Sequence, residues 1–157
     1  MSNIELSSED ELFLDDIASL MAPWGWARPV GRIYAYLLLR AEPATLDEIV
    51  TDLGISKSNA SVAARTLEHC GHARRHSEPG SKRIFYAASD DHGSSFDERV
   101  TLLRRLETLF QRQSSRGLDT SVTHRLDSLA SFYARMRGAM EGVIADEQTE
   151  TRAKRHG

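Results

Sequence analysis

The sequence predicts a mainly α-helical chain carrying one small β-hairpin just past its middle. Three observations predict this. Several segments repeat apolar residues at intervals of three and four. Helix start and stop residues recur between those segments. Two short strand-like runs flank a single Pro-Gly turn.

The first helix is expected over about 6–22, with Leu6, Phe13, Ile17, Leu20 and Met21 at helical spacing. Ser8 and Glu11 have the spacing of a capping box, and the acidic first turn suits the helix dipole. Glu9, Asp15 and Asp16 read as a solvated face. Pro23 stops the helix, and PWGWARP reads as a connector. Pro29 is placed to open a second helix. Its run VGRIYAYLLLR is apolar on most sides, which predicts a buried helix ending near Ala41, where Glu42 and Pro43 follow.

Thr45 and Glu48 repeat the capping-box spacing at the start of TLDEIVTDL, with Ile49 and Leu53 on one face. Gly54 then marks a tight turn around Ile55. Ser56 is an N-cap for a helix running to about Cys70. A short helix, a glycine turn and a second helix make a helix-turn-helix. Gly71 closes it. HARRHS and RIFYAAS, separated by EPGSK, read as two strands of a hairpin, which in this position is a wing. Beyond it, Phe96, Val100, Leu103, Leu106 and Phe110 predict a helix over about 94–113. After SSRG, a second long helix is expected over about 119–145. Its Val122, Leu126, Leu129, Tyr133, Met136, Met140 and Val143 form a heptad-like seam. The polar segment QTETRAKRHG reads as a frayed tail.

The expected fold class is therefore a mainly α winged helix-turn-helix with a two-stranded β-wing and long N- and C-terminal dimerisation helices. The expected segments are a dimerisation helix (1–22), the winged helix-turn-helix (23–89), a helical dimerisation region (90–147) and a flexible tail (148–157). At 157 residues this amounts to one domain with a dimerisation appendage.

The net charge of −3 speaks weakly against nucleic acid, but its distribution reverses that. Residues 1–53 hold three Arg against ten Asp/Glu, giving −7, and residues 90–157 balance at eleven of each. Residues 54–89 hold Lys57, Arg65, Arg74, Arg75, Lys82 and Arg83 against Glu68 and Glu78, giving +4. Phosphate binding depends on such a local patch.

A recognition helix needs short polar side chains near its N-terminus, an apolar face on the domain, and basic residues for phosphate. SKSNASVAAR supplies all three. Ala60, Ala64 and Leu67 fall inward. Ser58, Asn59, Ser61, Val62 and Arg65 fall outward. Asn59 suits adenine, Arg65 a guanine or a phosphate, and Val62 a thymine methyl. Ser56, Lys57 and Ser58 suit phosphates at a helix N-terminus. Lys82 and Arg83 at the hairpin tip are the expected phosphate or minor-groove contacts. Arg74 and Arg75, on the strand leading there, serve equally well as a charged edge.

The run from Gly25 to Ala88 resembles the GbsR/MarR-type winged helix regulators. Arg28-Pro29, Gly31-Arg32-Ile33, the leucines at 37–39, Leu46-Asp47-Glu48-Ile49, Leu53-Gly54-Ile55-Ser56-Lys57, Arg65 with Leu67-Glu68, and Pro79-Gly80 carry the resemblance, which extends over about 4–145. It implies a homodimer held by the first and last helices, bound as a repressor to a pseudo-palindromic double-stranded DNA operator. It also implies, for some members, a small-molecule effector. Ala60 and Ala64 are smaller than the family's usual Val and Leu, and Cys70 and His72 stand where Leu is common.

Other readings are weaker. His69, Cys70, His72 and His76 lack tetrahedral metal spacing, so a buried structural cysteine is expected. Trp24, Trp26, Tyr34 and Tyr36 suit core or dimer packing better than a cage for a cationic effector. No catalytic set or phosphate loop is present, so neither enzyme activity nor a cofactor or metal is expected. The acidic N-terminus and the lack of a long apolar run predict no membrane span and a cytoplasmic place, which the single cysteine fits. The competing function is a winged helix used for protein–protein contact, or a ligand or redox sensor without direct DNA binding.

Overall fold

The computed structural model describes residues 4–157, and the chain divides into two compact units meeting between Asp90 and Asp91. The first unit contains helices α1 (Ser8–Met21), α2 (Arg28–Leu39), α3 (Leu46–Leu53) and α4 (Lys57–His69). It also contains strands β1 (Ala44–Thr45), β2 (Ala73–Ser77) and β3 (Ile84–Ala88). The strands form one antiparallel sheet in the order β1-β3-β2, with Ala73 opposite Ala88, Ser77 opposite Ile84 and Thr45 opposite Phe85. The hairpin is the two-stranded wing. The two-residue β1 adds a third strand too short to leave a periodic trace in the sequence.

Leu14, Ile33, Tyr36, Ile49 and Leu67 are the largest fully buried side chains of this unit, drawn from all four helices. On α4 the buried set is Ala60, Ala63, Ala64 and Leu67, the 0, 3, 4, 7 pattern of one helix face. Three alanines there let α4 lie close on α2. α1 belongs to this unit too, whereas the sequence reading set residues 1–22 apart. It is capped by Ser7, whose Oγ accepts from the Asp10 N–H while Asp10 accepts from the Ser7 N–H. That box lies one residue before the expected Ser8–Glu11 pair. Asp15 is not merely solvated: it pairs with Arg28 at 2.6 Å and with Arg32, and Arg32 also meets Glu11 at 2.7 Å. α1 is thus tied to α2 by charge as well as by packing.

α2 ends at Leu39, two residues before the expected end. Arg40 turns to extended backbone (φ −92°, ψ 132°), and its side chain turns inward. α3 begins with the expected capping box: Thr45 Oγ1 accepts from the Glu48 N–H at 3.2 Å, and Glu48 accepts from the Thr45 N–H at 2.7 Å. Gly54 ends α3 at φ +62°, a left-handed conformation that glycine adopts without strain.

The second unit contains a 3-10 turn (Gly93–Phe96), α5 (Asp97–Ser114) and α6 (Thr120–Arg155). α5 and α6 pack on each other. Phe110 stacks on Tyr133 with ring centroids 5.8 Å apart, Arg137 meets Glu107 at 2.9 Å, and Arg104 meets Glu141 at 2.6 Å. α6 runs ten residues beyond Ala145, through most of the segment expected to be a frayed tail. Seven of those ten residues (Glu, Gln, Ala, Arg and Lys) are strong helix formers, and Arg152, Lys154 and Arg155 in the last turn complement the dipole.

Within the second unit the heptad seam splits. Leu126, Tyr133 and Met140 are half-buried. Val122, Leu129, Met136 and Val143, spaced by seven, are 36, 37, 44 and 70% exposed. α5 has no fully buried residue, and its Leu102 and Leu109, also seven apart, are exposed. No helix among the described residues is long and apolar enough to cross a membrane.

Candidate nucleic-acid interface

The first unit carries an open groove of about 1030 Å³ between α3, α4 and the wing. Lys57, Ser61 and Arg65 line it from α4, and Lys82 and Arg83 from the turn joining β2 to β3. Local rules place each of them. Ser56 caps α4 by accepting the Asn59 N–H at 3.2 Å, so Lys57 stands at the first helical position. Ser61 and Arg65 follow at steps of four, on one face. Arg65 is exposed, and its Nε donates to the Ser61 carbonyl at 3.3 Å, which lays the side chain back along the helix. In the wing, the Ser81 N–H donates to the Glu78 carbonyl at 3.1 Å, and the Arg83 N–H to Ser81 Oγ at 3.1 Å. This folded turn presents Lys82 and Arg83, both exposed.

Five of the nine residues singled out in the sequence therefore share one groove. Ser58, Asn59 and Val62 are exposed on α4 but do not line it, and Val62 is 56% exposed. The Ser56 hydroxyl is committed to its cap.

Arg75 of β2, opposite Tyr86 of β3, also lines the groove. The sequence leaves both readings of Arg75 open, contact with DNA or a charged edge. Strand alternation separates the two arginines, since neighbours along β2 point to opposite faces. Arg74, the neighbour, lies 4.0 Å from Asp90.

A buried polar cluster lies at the base of the groove. The Arg40 side chain is 4% exposed and the Asp52 side chain 3%. Arg40 Nη1 donates to the Tyr36 hydroxyl at 2.9 Å, and that hydroxyl donates to Asp52 Oδ2 at 2.7 Å. Arg40 also lies 3.6 Å from both Asp52 and Glu48, and its Nε donates to the Glu42 carbonyl at 3.1 Å. Burial first, and then the hydrogen bond to Asp52, push the Tyr36 hydroxyl well above the usual tyrosine range. It stays a neutral donor. This cluster fastens α3, the first helix of the helix-turn-helix, to the end of α2.

Of the four aromatic residues expected to serve packing rather than a cage, two pack together. Trp26 and Tyr34 meet each other at 5.7 Å and both meet His72, at 4.7 and 5.1 Å, all edge to face. Tyr36 belongs to the Arg40 cluster instead, and Trp24 is 53% exposed. The ring of His72 thus completes a packing triad. Cys70 is half-buried at the C-cap of α4 rather than fully buried. Among the described residues, no three His, Cys, Asp or Glu side chains are grouped to hold a metal.

One solved structure, a transcriptional regulator, superposes on 90% of this chain and 99% of its own with a TM-score of 0.72 at 19% identity. The chain has a winged helix-turn-helix fold. Over 91 residues it is 25% identical to the "Putative HTH-type transcriptional regulator YvaV" of Bacillus subtilis (strain 168), a match covering 58% of this chain and 51% of that protein. The chain thus spans about half the length of the curated relative it matches. No protein-family model matches the chain. A MarR-family regulator from Rhodococcus sp. RHA1 (21% identity, 82% of this chain and 89% of that one) superposes at a TM-score of 0.39, too distantly to add to the argument. The two stronger likenesses agree with a winged helix-turn-helix fold.

Proposed function

We propose that the chain is a sequence-specific double-stranded DNA-binding transcriptional regulator, acting as a homodimer on a pseudo-palindromic operator as a repressor. The observation that carries this reading is the groove, which cations of the recognition helix (Lys57, Arg65) and of the wing (Arg75, Lys82, Arg83) line together, beside the carboxylates Glu42, Asp47, Glu48, Glu68 and Glu78. Such a groove matches a duplex backbone with α4 in the major groove. Asn59, Val62 and Arg65 read base edges. Lys57, Ser58 and Ser61 hold phosphates with the α4 N-terminus, and Ser56 contributes through its cap. Lys82, Arg83 and Arg75 clamp the flanking backbone or minor groove.

The homodimer is supported by the exposed heptad stripe Val122, Leu129, Met136 and Val143, an apolar row of the kind that a second copy covers. Leu12 and Leu20 on α1, 61 and 71% exposed, supply further apolar surface for the same purpose. Two α4 helices then sit about one DNA turn apart, ~34 Å. An effector bound near the seam would regulate by changing that distance.

Selection of bound duplexes from a random pool tests the reading. The expected outcome is enrichment of an inverted repeat whose half-site centres lie about 10 base pairs apart, bound by two protomers. A pool that stays random through successive rounds would overturn sequence-specific binding.

A further inference from the structure

We infer that Asp47 sets the affinity of the groove for arbitrary duplex by holding the Lys57 ammonium. The inference rests on the DNA-binding reading above and adds a residue to it. Lys57 Nζ lies 3.3 Å from Asp47 Oδ1, and both side chains line the groove and are largely in water, 69 and 82% exposed. Asp47 stands in the first turn of α3 and Lys57 in the first turn of α4, so the pair bridges the two N-termini of the helix-turn-helix.

Those N-termini are where a duplex backbone approaches. A phosphate arriving there meets a lysine that already has an anionic partner. Either the phosphate displaces Asp47, or the cation stays neutralised. In both cases a carboxylate remains beside the DNA. Non-specific binding is almost wholly electrostatic, so the loss of one cation weakens it.

The groove is also lined by Glu42, Glu48, Glu68 and Glu78, and Asp47 differs from them in lying within ion-pair distance of Lys57. Glu48 is occupied by the Thr45 cap and by Arg40, inside the domain. A simpler role for Asp47 exists, because a negative charge in a first turn favours the helix dipole. That role predicts lower stability for Asp47→Asn and no dependence on Lys57. Holding the Lys57 ammonium predicts a gain in DNA affinity for Asp47→Asn that is larger when Lys57 is present.

The experiment is a double-mutant cycle on a random-sequence duplex at low salt, read by fluorescence anisotropy, with the full chain, Asp47→Asn, Lys57→Gln and the double variant. Asp47→Asn is expected to bind about two- to fivefold more tightly, the range an exposed ion pair spans. The gain should shrink as salt rises, and it should be smaller in the Lys57→Gln background, where only the direct repulsion of the carboxylate is relieved. Unchanged or weaker binding by Asp47→Asn overturns the inference while leaving the DNA-binding reading in place, as does a gain that persists in full without Lys57. If the unmodified chain binds no duplex at low salt, the DNA-binding reading falls and this inference with it.

Discussion

Arg40→Met is expected to destabilise the first unit by about 3–5 kcal/mol. Arg40 is the cation of a buried cluster with two carboxylates, Asp52 and Glu48, each 3.6 Å away. Methionine fills similar volume but leaves both carboxylates without a counter-charge in a place water hardly reaches. The cost comes from that uncompensated charge, since a buried ion pair kept intact adds little net stability. Arg40→Met combined with Asp52→Leu should therefore recover a large part of the loss. Urea denaturation followed by tryptophan fluorescence, at one fixed protein concentration, measures both variants. A loss below about 1 kcal/mol for Arg40→Met, in the range of an exposed pair, would show that the cluster does not hold α3 to α2. The same substitution should weaken DNA binding, because α3 supports α4 from beneath.

Gly31→Val should cost about 3 kcal/mol or more, at the upper end for overpacking. A Cβ at Gly31 would stand 2.6 Å from the Ala18 Cα and 3.2 Å from the Ala18 nitrogen. These are backbone atoms, so no rotamer change relieves the clash. α1 must lift from α2, which also strains the bonds from Arg28 and Arg32 to Asp15. Adding Ala18→Gly should not rescue the variant, because the contact is with the backbone and not only with the alanine methyl. Thermal unfolding by circular dichroism reads both. Full rescue by Ala18→Gly would contradict the close helix crossing.

The helix-turn-helix was legible in the sequence because its signals are local. Thr45 with Glu48, Gly54 and Ser56 act within a few residues of themselves, and each caps or turns the chain where expected. The Pro-Gly turn between HARRHS and RIFYAAS predicted the wing for the same reason. At α1 the local signal was ambiguous: Ser7 with Asp10 and Ser8 with Glu11 have identical spacing, and the earlier pair forms the box. The Arg40 cluster was hidden because its partners, Tyr36, Glu48 and Asp52, come together only once α3 folds against α2. Arg75 was open to detection, since alternation along β2 separates it from Arg74, but the direction of each face depends on the sheet's packing. The end of α6 was missed because a solvent-exposed helix carries no apolar period to read. The seam at 122–143 was seen, yet only the folded hairpin of α5 and α6 separates its half-buried positions from its exposed ones.

The central claim is that α4 and the wing meet a DNA backbone together across one groove. Fluorescence anisotropy on a duplex over a salt series, with the unmodified chain, Arg65→Ala, and Lys82→Ala combined with Arg83→Ala, tests it most directly. The account predicts affinity falling steeply with salt and a slope made shallower by about two in the wing variant, one for each phosphate contact removed. Arg65→Ala should bind more weakly as well. Equal slopes and affinities for all three proteins, or no binding at the lowest salt, would contradict the account.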